Sequence, residues 1–468
     1  MNTPIFDFIN EYRKKNPVRA HMPGHKGMGI LGFEDMDLTE ITGADELYNP
    51  TGIILESENN ASTLFGSNTM YSTEGSSHCI RGMLFLFKKW CAHTGAAPLI
   101  LAGRNIHKTY INTAALLDIQ TVWMMGHSED SIEECRFSSA ELESRILEMQ
   151  TKPTAVYITS PDYLGNVADI KGYAEVCHNH GILLLVDNAH GAYLKYLTPS
   201  IHPIDLGADI CADSAHKTLP VLTGGAYLHI SERADSFFHE NAKLALEMFG
   251  STSPSYLVLA SLDVANRYMS DLSHKLSIFL PKLNILKESL RNEGYVITGN
   301  EALKICINFK ICHNISGKEA AAYLEDNNIF PEYYDENHLV LMLTPENSES
   351  DLNNIFGVLK DYIHSIVNDK NLGKTHSKTF SIEALADLDL IDTKMAVSHA
   401  SQHKKKPQQV LSPAKAILSD YEIVPEKEAI GRVLACSIIS CPPAIPAYMM
   451  GELIEEIHDP ERLIRVVK

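Results

Sequence analysis

The sequence predicts an α/β protein: a large domain on a mainly parallel sheet, a smaller α+β domain and a C-terminal α+β domain. Short, unbroken apolar runs such as residues 182–186 (ILLLV) read as strands buried on both faces of a parallel sheet. Between residues 69 and 229 such runs alternate with helical stretches, the pattern of crossover connections. From 274 to 363 the order becomes helix, strands, helix without glycine-rich turns, and the polar stretch 368–381 reads as a linker. A chain of 468 residues exceeds one ordinary core. The expected division is 1–50, 51–272, 273–367 and 368–468.

Residues 4–15 set Ile5, Phe8, Ile9 and Tyr12 at helical spacing, an amphipathic helix that docks on another surface. The next segment, AHMPGHKG (20–27), is broken by Pro and Gly and displays His25 on a loop. A helix over 56–65 ends at Gly66, and a strand over 69–72 feeds TEGSSH before a helix over 79–90. The free N–H groups and positive end of such a helix favour an anion. Gly75 permits the tight turn, and Ser76 and Ser77 add hydroxyls. A strand over 98–101 runs into a loop carrying Arg104 and His107. A strand over 154–159 precedes Asp162 and Tyr163, and a helix over 169–179 closes at Gly181 with His178 and His180 at its cation-favouring end. The strand 182–186 sets Asp187 at its C-terminal end, where open α/β sheets bind ligands. A further run, 209–212, leads into Ser214-Ala215-His216-Lys217, and 226–230 is another strand. Ser251 and Thr252 precede a helix over 255–269, and the smaller domain carries strands over 302–309 and 338–343. The basic run 403–409 reads as a solvated loop.

Asp187 and Lys217 are the informative pair. A lysine amine in a partly desolvated pocket sheds its proton and condenses with an aldehyde, while a carboxylate facing a pyridine nitrogen keeps that nitrogen protonated. Pyridoxal 5'-phosphate meets both requirements. Ser214 and His216 flank the lysine and are placed to donate to its phosphate, and His190 to lie near the ring or its hydroxyl. SAHK alone is a pattern that chance supplies often; the strand-end Asp187 is what raises it.

The net charge of −19, from 40 basic and 59 acidic residues, argues against nucleic acid and suits a cationic substrate, although acidity also serves solubility. Nine cysteines without a C-x-x-C pair fit free thiols in a reducing compartment, with no disulfide scaffold and no metal site. No apolar run approaches the ~18 residues that span a bilayer. The N-terminus lacks the apolar core of a signal peptide, so the expectation is a cytoplasmic protein without a membrane partner.

VDNAHGA (186–192), SAHKTLP (214–220) and STSPSYLVLASLD (251–263) resemble the ornithine/lysine/arginine decarboxylases, pyridoxal-phosphate enzymes of the aspartate-aminotransferase fold (fold type I). AHMPGHKG (20–27), RNIHKT (104–109) and CPPAIPAYMMGE (441–452) extend the resemblance over nearly the whole chain. It implies decarboxylation of a basic amino acid in polyamine biosynthesis. Arginine to agmatine comes first, because the chain resembles the short biosynthetic arginine decarboxylases, and lysine to cadaverine next. It implies the turn at Gly75, Ser76 and Ser77 on the cofactor phosphate, His107 stacked over the ring, and Lys217 or His216 returning a proton to the substrate carbon. It also implies Ser251 and Thr252 reaching the phosphate of a partner subunit, in a homodimer or higher homo-oligomer, with His25 and Glu452 on the substrate side. The chain departs from the family pattern at Glu74, Asp162, Cys441 and Ala444, where the family carries a small or amide residue, an uncharged residue, an aromatic and a glycine. Two other readings stand beside this one. An aminotransferase or lyase would use the same cofactor, although residues 275–365 hold only Arg291 for a substrate carboxylate. A non-catalytic, cofactor-binding regulatory subunit is opposed by the retention of Lys217 and Asp187.

Overall fold

The computed structural model describes residues 1–127, 133–309, 311–312, 315–372, 408–439 and 444–468. The large domain contains strands β1 (Asn68–Ser72), β2 (Leu99–Gly103), β3 (Gln120–Met124), β4 (Ala155–Thr159), β5 (Leu183–Asp187), β6 (Ile210–Asp213) and β7 (Ala226–Ile230). They form a seven-stranded sheet in the order β1-β7-β6-β5-β4-β2-β3. Only β7 runs antiparallel to its neighbours. The order reverses between β2 and β4, so the loops leaving their C-terminal ends part and open a crevice there.

Strand residues alternate between two apolar layers. Ile100, Ala102 and Leu185 join the larger core on one face; Leu101, Leu184 and Val186 join a second core on the other. The covering helices are α1 (Pro4–Lys14), α2 (Ile53–Phe65), α3 (Gly75–Thr94), α4 (Lys108–Leu116), α5 (Ser139–Glu148), α6 (Ile170–Asn179), α7 (Pro203–Leu206), α8 (Ala215–Thr218), α9 (Ser236–Glu247) and α10 (Tyr256–Met269). Helix α1 docks as its apolar spacing requires. Ile5 and Ile9 are buried, and its first amides, Ile5 N and Phe6 N, donate to Asp263 Oδ2 at 2.9 and 3.0 Å.

Helix α11 (Leu272–Asn292) leads to the smaller domain, where β8 (Ile297–Thr298), β9 (Lys304–Asn308), β10 (Tyr333–Tyr334) and β11 (His338–Met342) form an antiparallel sheet in the order β10-β11-β9-β8. Helices α12 (Gly317–Asp326) and α13 (Glu349–Leu372) complete it. The expected linker was set too early, because α13 continues to Leu372. The rest of that linker, residues 403–407 of the basic run and Cys441 lie outside the described residues.

The C-terminal part contains α14 (Pro413–Leu418), β12 (Tyr421–Pro425), β13 (Ile438–Ile439), β14 (Pro446–Tyr448) and β15 (Leu463–Val467). Leu434, Ile454, Ile464 and Val466 give it a core of its own. It leans on the large domain at one informative point, where Ala444 O accepts from Lys108 N, the first residue of α4, at 2.9 Å. Ala444 has φ +59°, a left-handed conformation that costs an L-residue about 1–2 kcal/mol. The glycine expected there has a backbone reason, and this chain bears the strain of alanine instead. Among the described residues no helix is long and apolar enough to cross a membrane.

Candidate active site

Strands β1, β2, β4, β5 and β6 share one direction, so the loops after their C-terminal ends converge. After β1 comes the anion turn. The sequence places its helix at residue 79, but α3 begins at Gly75, so Ser76 and Ser77 stand within the first turn. Their N–H groups, with that of His78, are among the amides that a helix start leaves without intrahelical acceptors. Gly75 has φ +75°, and a Cβ there would meet nothing within 4 Å, which leaves open space beside the turn. Gly75 N donates to Gly224 O at 2.7 Å, and a Cβ on Gly224 would strike Thr73 O at 2.6 Å. Only glycine at 224 lets the strand leading into β7 close on the turn. Hydroxyls converge from the starts of two other helices: Ser214 Oγ, just before α8, donates to Ser76 Oγ at 2.8 Å, and Thr109 Oγ1, in the first turn of α4, to Ser77 Oγ at 3.0 Å.

His107 caps α4 by accepting from Thr109 N through Nδ1, which fixes the ring. Burial first, then the charges of Lys217 and Lys108, press its pKa down to about 4, so the ring is neutral. Lys217 Nζ donates to His190 Nε2 at 2.9 Å. The hydrogen of that neutral imidazole therefore sits on Nδ1, a buried atom without a partner among the described residues. Burial lowers the Lys217 pKa against the opposing charges of Asp187 and Glu332. Asp187 is buried at the end of β5, accepts from Ala189 N at 3.2 Å and Tyr157 OH at 3.3 Å, and is pushed up to about 6 by burial while Lys217 pulls it down.

His216 corrects an expectation. Its Nδ1 faces Gly225 O at 3.0 Å, and a carbonyl can only accept, so the hydrogen is committed there. Burial lowers its pKa, and the neutral ring presents Nε2 as an acceptor, not as a donor to a phosphate.

Three residues that sequence reasoning missed complete the pocket. Tyr163, on the loop after β4, packs edge-on against His190 with ring centroids 5.1 Å apart, and its hydroxyl donates to Glu332 Oε1 at 3.0 Å. Lys304 is buried in β9, donates to Asp162 O at 2.8 Å, and its charge is felt by both Lys217 and His190. Glu332 precedes β10, and its charge is felt by Lys217 and His216. A lysine among the apolar residues of a predicted strand was the available signal for Lys304; nothing in the sequence distinguished Glu332.

The departures acquire physical accounts. Glu74 Oε1 accepts from Ser251 N at 2.6 Å, which ties the acid to the 251 segment. Asp162 accepts from Asn166 N at 2.8 Å and Asn166 Nδ2 at 2.7 Å, closing the loop that carries Tyr163.

Other expected residues stand apart within the single chain. His25 bonds Asp37 Oδ2 at 3.2 Å and Gly27 N at 3.0 Å inside its own segment. Ser251 and Thr252 are exposed. Glu452 is buried and paired with Arg104 at 3.3 Å, so its cation is a residue of the chain itself.

A profile for the family described as Orn/Lys/Arg decarboxylase, major domain, matches residues 3–278. The chain is 31% identical to the uncharacterized protein YaaO of Bacillus subtilis, covering 99% of this chain and 95% of that one. It is 27% identical to an arginine decarboxylase of Bacillus anthracis, covering 97% and 91%. It superposes on the lysine decarboxylase LdcF of Francisella novicida with a TM-score of 0.76 at 16% identity, covering 100% of this chain and 81% of that one. That likeness bears out the predicted fold class.

Proposed function

The chain belongs to the Orn/Lys/Arg decarboxylase family, and from that premise we propose that it is a pyridoxal-phosphate-dependent decarboxylase of a basic amino acid, with arginine as first substrate and lysine second. The observation that carries the reading is Lys217, half-buried with a lowered pKa, donating to His190 within the field of the strand-end Asp187.

The residues fit the cofactor. Among the described residues the buried Nδ1–H of His190 has no acceptor, which suits a ring oxygen, and the first turn of α3 sets two serine hydroxyls beside its amides with open space at Gly75. Ser76, Ser77, Ser214 and those amides would hold the phosphate, Asp187 the ring nitrogen, His107 a ring face and Lys217 the aldehyde carbon. Bound there, the cofactor supplies an electron sink for the pair released when the bond from Cα to the carboxylate breaks.

The chain's own groups do the rest. The lowered pKa of Lys217 makes its amine available as a nucleophile. Asp187, at about 6, is ionised at neutral pH and can face a cation. His107 and His190 remain neutral, so neither repels a cationic substrate. Glu332, held by the Tyr163 hydroxyl, offers its carboxylate to the guanidinium or ammonium of the side chain. Once carbon dioxide has left, Cα needs a proton, which Lys217 Nζ returns. Ser251 and Thr252, exposed beside the anion turn through Glu74, complete the phosphate site of a second copy.

Purified protein supplied with pyridoxal phosphate should release carbon dioxide and an amine from arginine fastest, from lysine next, with ornithine as the third candidate. Release from none of the three would overturn the reading; faster release from lysine would reverse the substrate order.

A further inference from the structure

Shortly before Lys217 in the chain stands a second buried carboxylate that the chemistry above does not use. Asp213 ends β6, directly before Ser214, and is 0% exposed. Its Oδ2 faces His202 Nε2 at 3.0 Å and His229 Nε2 at 3.2 Å; its Oδ1 accepts from Asn188 Nδ2 at 2.8 Å and Cys211 Sγ at 3.4 Å. Both rings are oriented from their far sides. Ile204 N donates to His202 Nδ1 at 3.4 Å, and Thr69 Oγ1 lies 2.9 Å from His229 Nδ1. Each ring therefore carries its hydrogen on Nε2 and gives it to Asp213.

A buried carboxylate surrounded only by donors stays ionised. Burial works against the charge, and the attraction and hydrogen bonds of His202 and His229 more than offset it. His202, Cys211 and Asp213 also lie close enough together to bind a cation. Burial, followed by the Asp213 charge, raises the Cys211 thiol far above its ordinary range, so it remains S–H and donates; the closed donor set accounts for the cluster without an ion.

The cluster reaches the active site through Asn188, the residue after Asp187. Asn188 N donates to Ala212 O at 2.9 Å while Nδ2 donates to Asp213, so this residue is pinned twice to β6. Gly191 N then closes on Asn188 O at 2.8 Å, and the turn so fixed carries both Asp187 and His190.

We propose that Asp213 is a positioning residue for the decarboxylation: a fixed anion that holds the Asp187–His190 turn through Asn188 and adds its negative charge to that of Asp187 facing the cofactor. The remaining titratable groups that feel it are Asp187 on β5, Cys79 on α3, Tyr227 on β7, and Tyr196, which precedes α7. Burial keeps Cys79, Tyr227 and Tyr196 protonated and neutral, so none adds a further negative charge beside Asp213. Lys195, whose charge reaches His229, is paired with Asp205 at 2.6 Å.

The proposal rests on the pyridoxal-phosphate reading, and the test separates the two. Wild-type holoenzyme must first show turnover and a pH-dependent visible cofactor band; failure there overturns the cofactor reading before Asp213 is at issue. In Asp213→Asn holoenzyme the midpoint of that band should fall by on the order of one pH unit, because a nearby buried anion no longer supports the proton. The same variant should lose roughly tenfold or more in kcat with little change in KM, since Asp213 touches no substrate. A folded Asp213→Asn enzyme with the wild-type midpoint and kcat would overturn the proposal. Should that variant not fold, Asn188→Ala decides: it keeps the anion and cuts its link to the turn, so kcat should fall roughly tenfold with the midpoint retained. Wild-type kcat in Asn188→Ala would overturn the positioning role.

Discussion

The two halves of the pocket are built differently. The half assigned to the cofactor comes from strand-end loops of one sheet: the Gly75 turn after β1, His107 after β2, Asp187 and His190 after β5, and Lys217 after β6. The half assigned to the substrate comes from the seam between domains, where Tyr163 of the large domain bonds Glu332 and packs against Tyr333 at 5.2 Å, both residues of the smaller domain. A shared sheet fixes the first half through backbone register; the second depends on how two separately packed bodies meet. In the proposed scheme cofactor chemistry is carried by the rigid frame, and substrate choice by the boundary between domains.

The sharpest way to break this comparison is Lys217→Ala. Its amine donates to His190 and is the nucleophile of the proposed scheme, so the variant should lose at least about 10³-fold in turnover together with the covalent cofactor signal. Glu332→Gln comes next. It keeps the Tyr163 hydroxyl bond to an oxygen and removes the charge, so KM for arginine or lysine should rise by roughly 10–100-fold while the cofactor spectrum stays as in wild type. Steady-state kinetics beside absorbance distinguishes the two variants. If Glu332→Gln altered the spectrum and left KM unchanged, the division into cofactor and substrate halves would fail.

The same division explains what the sequence disclosed. The cofactor half was legible because each part sits where a strand ends, in a short contiguous motif: GSS before a helix, NIH after a strand, VDNAH and SAHK. Even there the hydroxyl of Thr109, which donates to Ser77, went unread, and the start of α3 was set four residues too late, because Gly75 looked like a turn residue alone. The substrate half was not legible. Tyr163, Lys304 and Glu332 meet only through tertiary packing, and nothing marks Glu332 among 59 acidic residues. Asp213 was hidden for the same reason, since His202 and His229 become its partners only when α7 and β7 pack beside β6. The smaller domain's main strands, expected over 302–309 and 338–343, form over Lys304–Asn308 and His338–Met342, whereas the two-residue strands Ile297–Thr298 and Tyr333–Tyr334 carry too little pattern to be read.

The smallest expected effect concerns Asp162, which lies on the substrate half without touching substrate in the proposed scheme. Burial pushes its carboxyl up to about 6, against the lowering hydrogen bonds of Asn166. A folded-state pKa above the unfolded value means that the protonated form favours the fold. That contribution is fully present below about pH 4 and is lost as pH rises through 6, an effect on the order of 3 kcal/mol at most. Asp162→Asn cannot ionise and retains one amide oxygen for Asn166 N, so relative to wild type it should gain stability between pH 4 and pH 7. Urea unfolding of both proteins at the two pH values measures that difference directly. Turnover should change less than tenfold, because Lys304 bonds the backbone carbonyl of residue 162 and not its side chain. A stability difference that stays constant from pH 4 to pH 7 would show that Asp162 is not the buried, proton-holding clasp of the Tyr163 loop.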